Sequence, residues 1–201
     1  MAMEQQPGGS DERKPSPSGD DATERLRRYV PHLYAADLAS LERGIRHGLW
    51  IDADQDPDDL DADIAAMLDS SPTVGADAWA IHDTQDFAGM ALSGQQDTAL
   101  ISCLARGVVH HGEAFAAYVD WRGTEAQQLN QFSDHYLGTY ANLDAWGRAA
   151  LNELQWPEQI RQRLDPEMTP YVRLDYGAWA KDASRDVYVA HGSEGIHVFR
   201  P

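Results

Sequence analysis

The run Asp52-Ala-Asp-Gln-Asp56 sets carboxylates at alternate positions, and Asp63 stands twelfth from Asp52, as the final acid of a calcium loop does. Such a loop needs glycine at its sixth position for a left-handed turn. Here that residue is Pro57, whose ring holds φ near −65°. The preceding Gly48–Ile51 also reads as a strand, not as an entering helix. The spacing argues against an EF-hand and leaves only loose divalent binding by crowded acids. His110, His111 and Glu113 are metal-ligand types. Adjacent side chains on a helix point about 100° apart, and no further cluster completes a site, so these read as surface or packing residues. There is no Gly-rich phosphate loop, no Gly-x-Ser-x-Gly elbow and no His-Glu-x-x-His. Nothing in the sequence pairs a serine with a histidine and an aspartate. The single cysteine, Cys103, can form neither an internal disulfide nor a thiolate zinc site, and between Ile101 and Leu104 it reads as a buried thiol.

What remains is charge. The chain of 201 residues has 16 Lys and Arg against 33 Asp and Glu, a net −17. That balance excludes a basic nucleic-acid binder and points to basic partners. The charge is unevenly placed. Residues 1–46 are net −1 and residues 106–201 net −4, whereas residues 47–105 hold twelve Asp and no Lys, Arg or Glu. The block is Asp52, Asp54, Asp56, Asp58, Asp59, Asp61, Asp63, Asp69, Asp77, Asp83, Asp86 and Asp97. Every member is the short acid, so the backbone can fix where each carboxylate lies. Crowding like charges costs stability, and twelve of them match the charge on about 20 Å of duplex DNA. The plain alternative is a solvated acidic face.

Elements must hold these acids in place. Residues 1–27 are rich in Gly, Pro, Ser and acids, cannot offset ordering entropy, and read as a disordered tail. Residues 28–90 read as an acidic α/β domain. It has strands at Tyr29–Tyr34, Gly48–Ile51 and Trp79–His82 and a helix capped by Asp56 with Pro57 first. The helix buries Leu60, Ile64, Met67 and Leu68, so Asp58, Asp59 and Asp69 face away and Asp61 and Asp63 flank the stripe. Residues 91–124 read as a helical domain interrupted at Gly107 and Gly112. Residues 125–201 read as a C-terminal α/β domain. It opens with a helix capped by Thr124 and Gln127, whose inner face is Leu129, Phe132, Tyr136 and Leu137. A helix at Leu143–Leu154, a short one capped by Asp175 and a terminal hairpin at Val187–Phe199 follow. The six Trp are spaced as core anchors. No stretch reaches the length of a membrane helix, and no signal-peptide core follows the first methionine, so the expected compartment is the cytoplasm.

Several stretches together resemble the antirestriction ArdA family. They are Gly48-Leu-Trp-Ile-Asp52-Ala with the acidic helix Asp58–Asp69; Trp79-Ala-Ile-His-Asp83 with Phe87; His111-Gly-Glu-Ala-Phe115 with Phe132 and Tyr136-Leu-Gly138; Tyr171-Val-Arg-Leu-Asp175 with Trp179-Ala-Lys-Asp182; and the ending Gly195-Ile-His-Val-Phe199. The order is the family's, over about 170 residues. The chain departs at Thr84-Gln85-Asp86, at Leu38–Arg43 and at Ala183-Ser184-Arg185-Asp186, where the run is shorter and gains a positive charge.

The resemblance implies an elongated α+β protein of three small domains that pairs into a homodimer. It implies no catalysis and no cofactor, and a carboxylate surface that mimics bent duplex DNA in the groove of type I restriction–modification enzymes. It places the family's antirestriction motif at Leu174, Asp175, Trp179, Ala180, Lys181 and Asp182. The expected contacts are Asp52, Asp54, Asp56, Asp58, Asp59, Asp61, Asp63, Asp77, Asp83 and Asp86, with Asp134, Asp144 and Glu153 extending the stripe. Two other readings use the same residues: an acidic adaptor for another basic DNA-binding protein, and a small metal-dependent enzyme built on the Asp cluster. The nearly balanced C-terminal third is the economical place for two copies to join, with Trp179, Tyr188 and Phe199 either in its core or at its contact.

Overall fold

Asp37, Asp97, Asn142 and Asp175 each accept a backbone N–H two or three residues on with a side-chain oxygen, and each begins a helix. Much of the local order starts from such short polar caps. The computed structural model describes residues 29–201. The expected tail at 1–27 lies outside the described residues.

Strand β1 (His32–Asp37) leads through the short helix α1 (Leu38–Glu42) to β2 (Gly48–Asp52), helix α2 (Pro57–Asp69) and β3 (Trp79–Gln85). The three strands form an antiparallel sheet in the order β2-β1-β3. β1 starts three residues later than the sequence reading, and Tyr29 packs on the core instead. α2 buries Leu60, Ile64 and Met67, with Leu68 half-buried beside them. Each large side chain so placed contributes about 1.5–3 kcal/mol.

Helices α3 (Thr98–His111) and α4 (Glu113–Arg122) meet at Gly112, where φ is +56°. α3 runs unbroken through Gly107, contrary to the expected interruption. A Cβ at Gly107 would lie 2.2 Å from the Phe115 ring, so this glycine seats an aromatic ring rather than bending a helix.

Next come α5 (Ala126–Asn130), α6 (Phe132–His135) and β4 (Tyr136–Tyr140). The expected capping box does not form, because Glu125 takes the cap position and makes no side-chain bond there. Tyr136 and Leu137 lie on a strand, not on the helix face expected. The reason is non-local: β4 pairs with the last strand, some sixty residues on, and that ladder outweighs helical periodicity. α7 (Leu143–Glu153) follows, then α8 (Trp156–Arg163), which Pro157 opens from a position where its missing N–H costs nothing. A 3₁₀ turn at Thr169–Tyr171 leads to α9 (Tyr176–Ala183) and the hairpin β5 (Tyr188–Gly192) and β6 (Gly195–Phe199). The second sheet has the order β4-β6-β5 and is antiparallel throughout.

The described residues thus hold nine α-helices and two small antiparallel sheets, the mixed α+β class expected. One apolar cluster joins Leu33, Ile51, Leu60, Ile81, Leu104, Tyr118 and Phe132 to Phe199 from the far end of the chain. A second gathers Trp146, Ala180, Ile196 and Val198. Among the described residues no helix is long and apolar enough to cross a membrane.

Candidate functional site

All twelve aspartates of the 52–97 block are exposed. Asp52 ends β2, and its Oδ1 accepts the Asp54 N–H at 2.9 Å. Asp58, Asp59, Asp61, Asp63 and Asp69 lie on α2 away from its buried stripe. Asp63 accepts from the Gln55 side chain at 2.9 Å. Asp83 accepts the Thr84 N–H at 2.8 Å, and Asp97 caps α3 through the Ala99 N–H at 2.8 Å. Asp86 follows β3 with φ +60°. Local backbone bonds therefore fix several carboxylates, as short side chains allow. Asp134, Asp144 and Glu153 are exposed too.

The block is not wholly without counter-charge. Arg106, on α3 just past it, reaches Asp56 at 2.5 Å and Asp54 at 3.9 Å. Asp56 does occupy the α2 cap position, yet its carboxylate makes no cap bond there. Each of the other recorded ion pairs among the described residues joins groups within 144–185.

A buried acid marks the contrast. Asp37 is fully covered; burial pushes its carboxyl up, but donors outweigh that and hold it below the ordinary value. The donors include Ser71 Oγ at 2.6 Å and the Ala39 N–H at 2.9 Å. It is a structural acid, whereas the twelve face water.

Among the described residues no three His, Cys, Asp or Glu are grouped to hold a metal ion. The His110 and His111 rings lie 6.2 Å apart, and His111 packs on Phe132 at 4.5 Å. Burial pushes His111 below its ordinary value, and His110 adds to that. Cys103 is half-buried on the core; burial raises its thiol and the Arg106 charge opposes.

The segment Leu174–Asp182 builds α9 and seats it. Asp175 caps it through the Ala178 N–H at 2.8 Å. Ala180 is fully buried, and a Cβ on Gly147 of α7 would lie 2.8 Å from the Ala180 methyl. Trp179 packs on Trp146 at 5.6 Å. Leu174 is half-buried, while Lys181 and Asp182 are exposed. The added Arg185 sits 3.5 Å from Asp182.

A protein-family model described as Antirestriction protein (ArdA) matches residues 33–198, from β1 to β6. The chain belongs to the ArdA family. No curated protein matches the chain. As an ArdA protein it is a DNA mimic that inhibits type I restriction enzymes, and it is an inhibitor rather than an enzyme. The exposed acids suit that activity: fixed carboxylates can meet the cations that otherwise hold phosphates. The reading of the aspartate cluster as a metal-dependent active site is thereby set aside.

Sequence reasoning misplaced two tryptophans of this ArdA protein. Trp50 and Trp156 are 45% and 44% exposed, not core anchors. Trp50 could have been found from alternation, since neighbouring Ile51 is buried and strand neighbours face opposite ways. Trp156 left no such signal, because its helix, α8, buries no residue at all.

Proposed function

We propose that Asp52, Asp54, Asp56, Asp58, Asp59, Asp61, Asp63, Asp77, Asp83 and Asp86 form the surface that enters the DNA groove of the type I enzyme. The observation that carries this reading is their common exposure on one unbroken stretch of chain that contains no basic residue but histidine. The inhibition is competitive, and opposite charge speeds the encounter. The site of action is the cytoplasm, where a restriction enzyme meets entering DNA. Of Leu174, Asp175, Trp179, Ala180, Lys181 and Asp182, Asp175, Trp179 and Ala180 act indirectly, by capping α9 and seating it on α7, while Lys181 and Asp182 face solvent.

The ArdA chain works as a homodimer joined through its C-terminal third. Leu154, Trp156, Met168, Tyr171 and Val172 are exposed there, with Arg161 and Arg173 among them. Exposed aromatics, Met and Arg are the side chains that interfaces favour. Trp179, Tyr188 and Phe199 serve the interior instead: Tyr188 stacks on Trp121 at 4.6 Å, and Phe199 is fully buried.

The test is competition between labelled duplex and the protein for a type I enzyme. The parent displaces duplex. Changing Asp54, Asp58, Asp59, Asp61 and Asp63 together to Asn weakens inhibition at least tenfold, with folding kept or firmer through relieved repulsion. A folded fivefold variant that inhibits like the parent overturns the assignment of this surface.

A further inference from the structure

We propose that the outer face of the N-terminal sheet carries an aromatic anchor, Tyr34 and Trp50 with His82, that binds an arginine-bearing wall of the target's groove. The proposal rests on the reading above and adds to it a contact that phosphates cannot make.

Strand register places the residues. Tyr34 on β1 pairs with Trp50 on β2 and with Asp83 on β3, and His32 pairs with Asp52. Directly paired residues share a face, so Tyr34, Trp50, Asp52 and Asp83 stand together. The opposite face sends Leu33, Ala35, Ile51 and Ile81 into the core. A bulge between Tyr34 and Ala35 gives β3 one extra residue, His82, and turns it outward beside Asp83. The Tyr34 ring lies 5.5 Å from Trp50 and 6.4 Å from His82. Neither Tyr34 nor Trp50 belongs to either apolar core, and Trp50 stays 45% exposed. With Leu41, Arg46 and His47 these side chains line a hollow of about 320 Å³.

Charge selects the occupant. Trp50 and His82 belong to the net −12 stretch, and Asp52 and Asp83 flank the rings from strands on either side of β1. Those strands are about 10 Å apart, two strand spacings. An anion would be repelled there, and an uncharged partner would gain nothing from the acids. A guanidinium lying flat on the Trp50 indole can meet a flanking carboxylate at its edge, so stacking and ion pairing act on one side chain. The protein already stacks its own arginines, Arg122 on Trp121 at 5.1 Å and Arg148 on Tyr176 at 4.4 Å. Arg46 is the hollow's own fixed cation. Asp83 lines the same hollow, and Asp52 adds a second carboxylate on that sheet face, two residues along β2 from Trp50.

The experiment is competition against labelled duplex for a type I enzyme across a series of salt concentrations. The inhibitors are the parent, Trp50→Ala, Trp50→Glu and the fivefold Asp→Asn variant. Trp50→Ala is expected to lose about tenfold in potency, the scale of an aromatic anchor, with the salt dependence of the parent. The fivefold variant shows a weaker salt dependence. Trp50→Glu adds negative charge, so charge mimicry by itself predicts equal or stronger inhibition, whereas the anchor predicts a loss like that of Trp50→Ala. Thermal unfolding confirms that the variants fold. Folded Trp50 variants that inhibit like the parent overturn the anchor while leaving the mimicry intact. A parent that fails to displace duplex overturns the surface assignment on which the anchor rests.

Discussion

Gly107 shows how one residue can set the packing of two helices. On an exposed helix, Gly→Ala gains about 1 kcal/mol in propensity. Here a Cβ would meet the buried Phe115 ring at 2.2 Å, and overpacking costs about 1–3 kcal/mol. The steric cost wins, so Gly107→Ala is expected to lower the thermal unfolding midpoint despite its better propensity. A raised midpoint would mean that the Phe115 ring can move aside. The same logic separates the acids. Asp37 is buried and takes several donors, while the block acids face water, so the block can be neutralised without opening the core and Asp37 cannot.

At the scale of elements, α2 divides into a buried apolar face and an exposed acidic face, the latter proposed to meet the target. Leu60 is fully buried, and Leu60→Ala is expected to cost about 2–5 kcal/mol in denaturant unfolding. Asp61→Asn beside it leaves the unfolding midpoint nearly unchanged. Equal losses from the two would mean that α2 does not sit on the sheet as described. The C-terminal sheet holds a different sensitivity. His197 on β6 is bonded to Thr139 at 2.7 Å through Nδ1, while Nε2 is buried without a partner among the described residues. Burial pushes its imidazole below the ordinary value, against the pull of Glu113 and Glu194. The unfolded chain therefore binds the proton first. The stability from a neutral His197 is present above about pH 6.5 and is lost as pH falls through the lower folded value. Unfolding midpoints measured from pH 7.5 down to 5 should fall in the parent and fall less in His197→Gln. Parallel curves would place the acid sensitivity elsewhere. His111 acts in the same direction, so the variant keeps part of the slope.

At the scale of the molecule, one group of exposed apolar residues lies outside the acidic stretch. The acid-rich stretch ends at residue 97, and the exposed Leu154, Trp156, Met168, Tyr171 and Val172 lie well beyond it. Two copies joined at the latter, as proposed, would carry twice −17, equal to about 58 Å of duplex charge. Tyr171 is 79% exposed, so Tyr171→Asp should spare the fold and weaken pairing. Light scattering should then find the variant nearer the single-chain mass of 22.3 kDa than the parent at equal concentration. A parent fixed at that mass under all conditions removes the dimer and leaves the mimic.

Read alone, the sequence determined what short-range physics controls. The amphipathic stripe of α2, its proline start, the Asp97 and Asp175 caps, the terminal hairpin and the uneven charge all follow from residue type and spacing within one element. The exposure of the acids was equally legible, because an unpaired carboxylate is too costly to bury. Tertiary contacts decided the rest. Tyr136 and Leu137 became strand because β6 was there to pair with them. Asp56 turned from its helix cap to Arg106, fifty residues away, because a guanidinium is the stronger partner. Trp50 was left facing water because Ile51 took the inward side of the same strand, and no element among the described residues covers the side that remained.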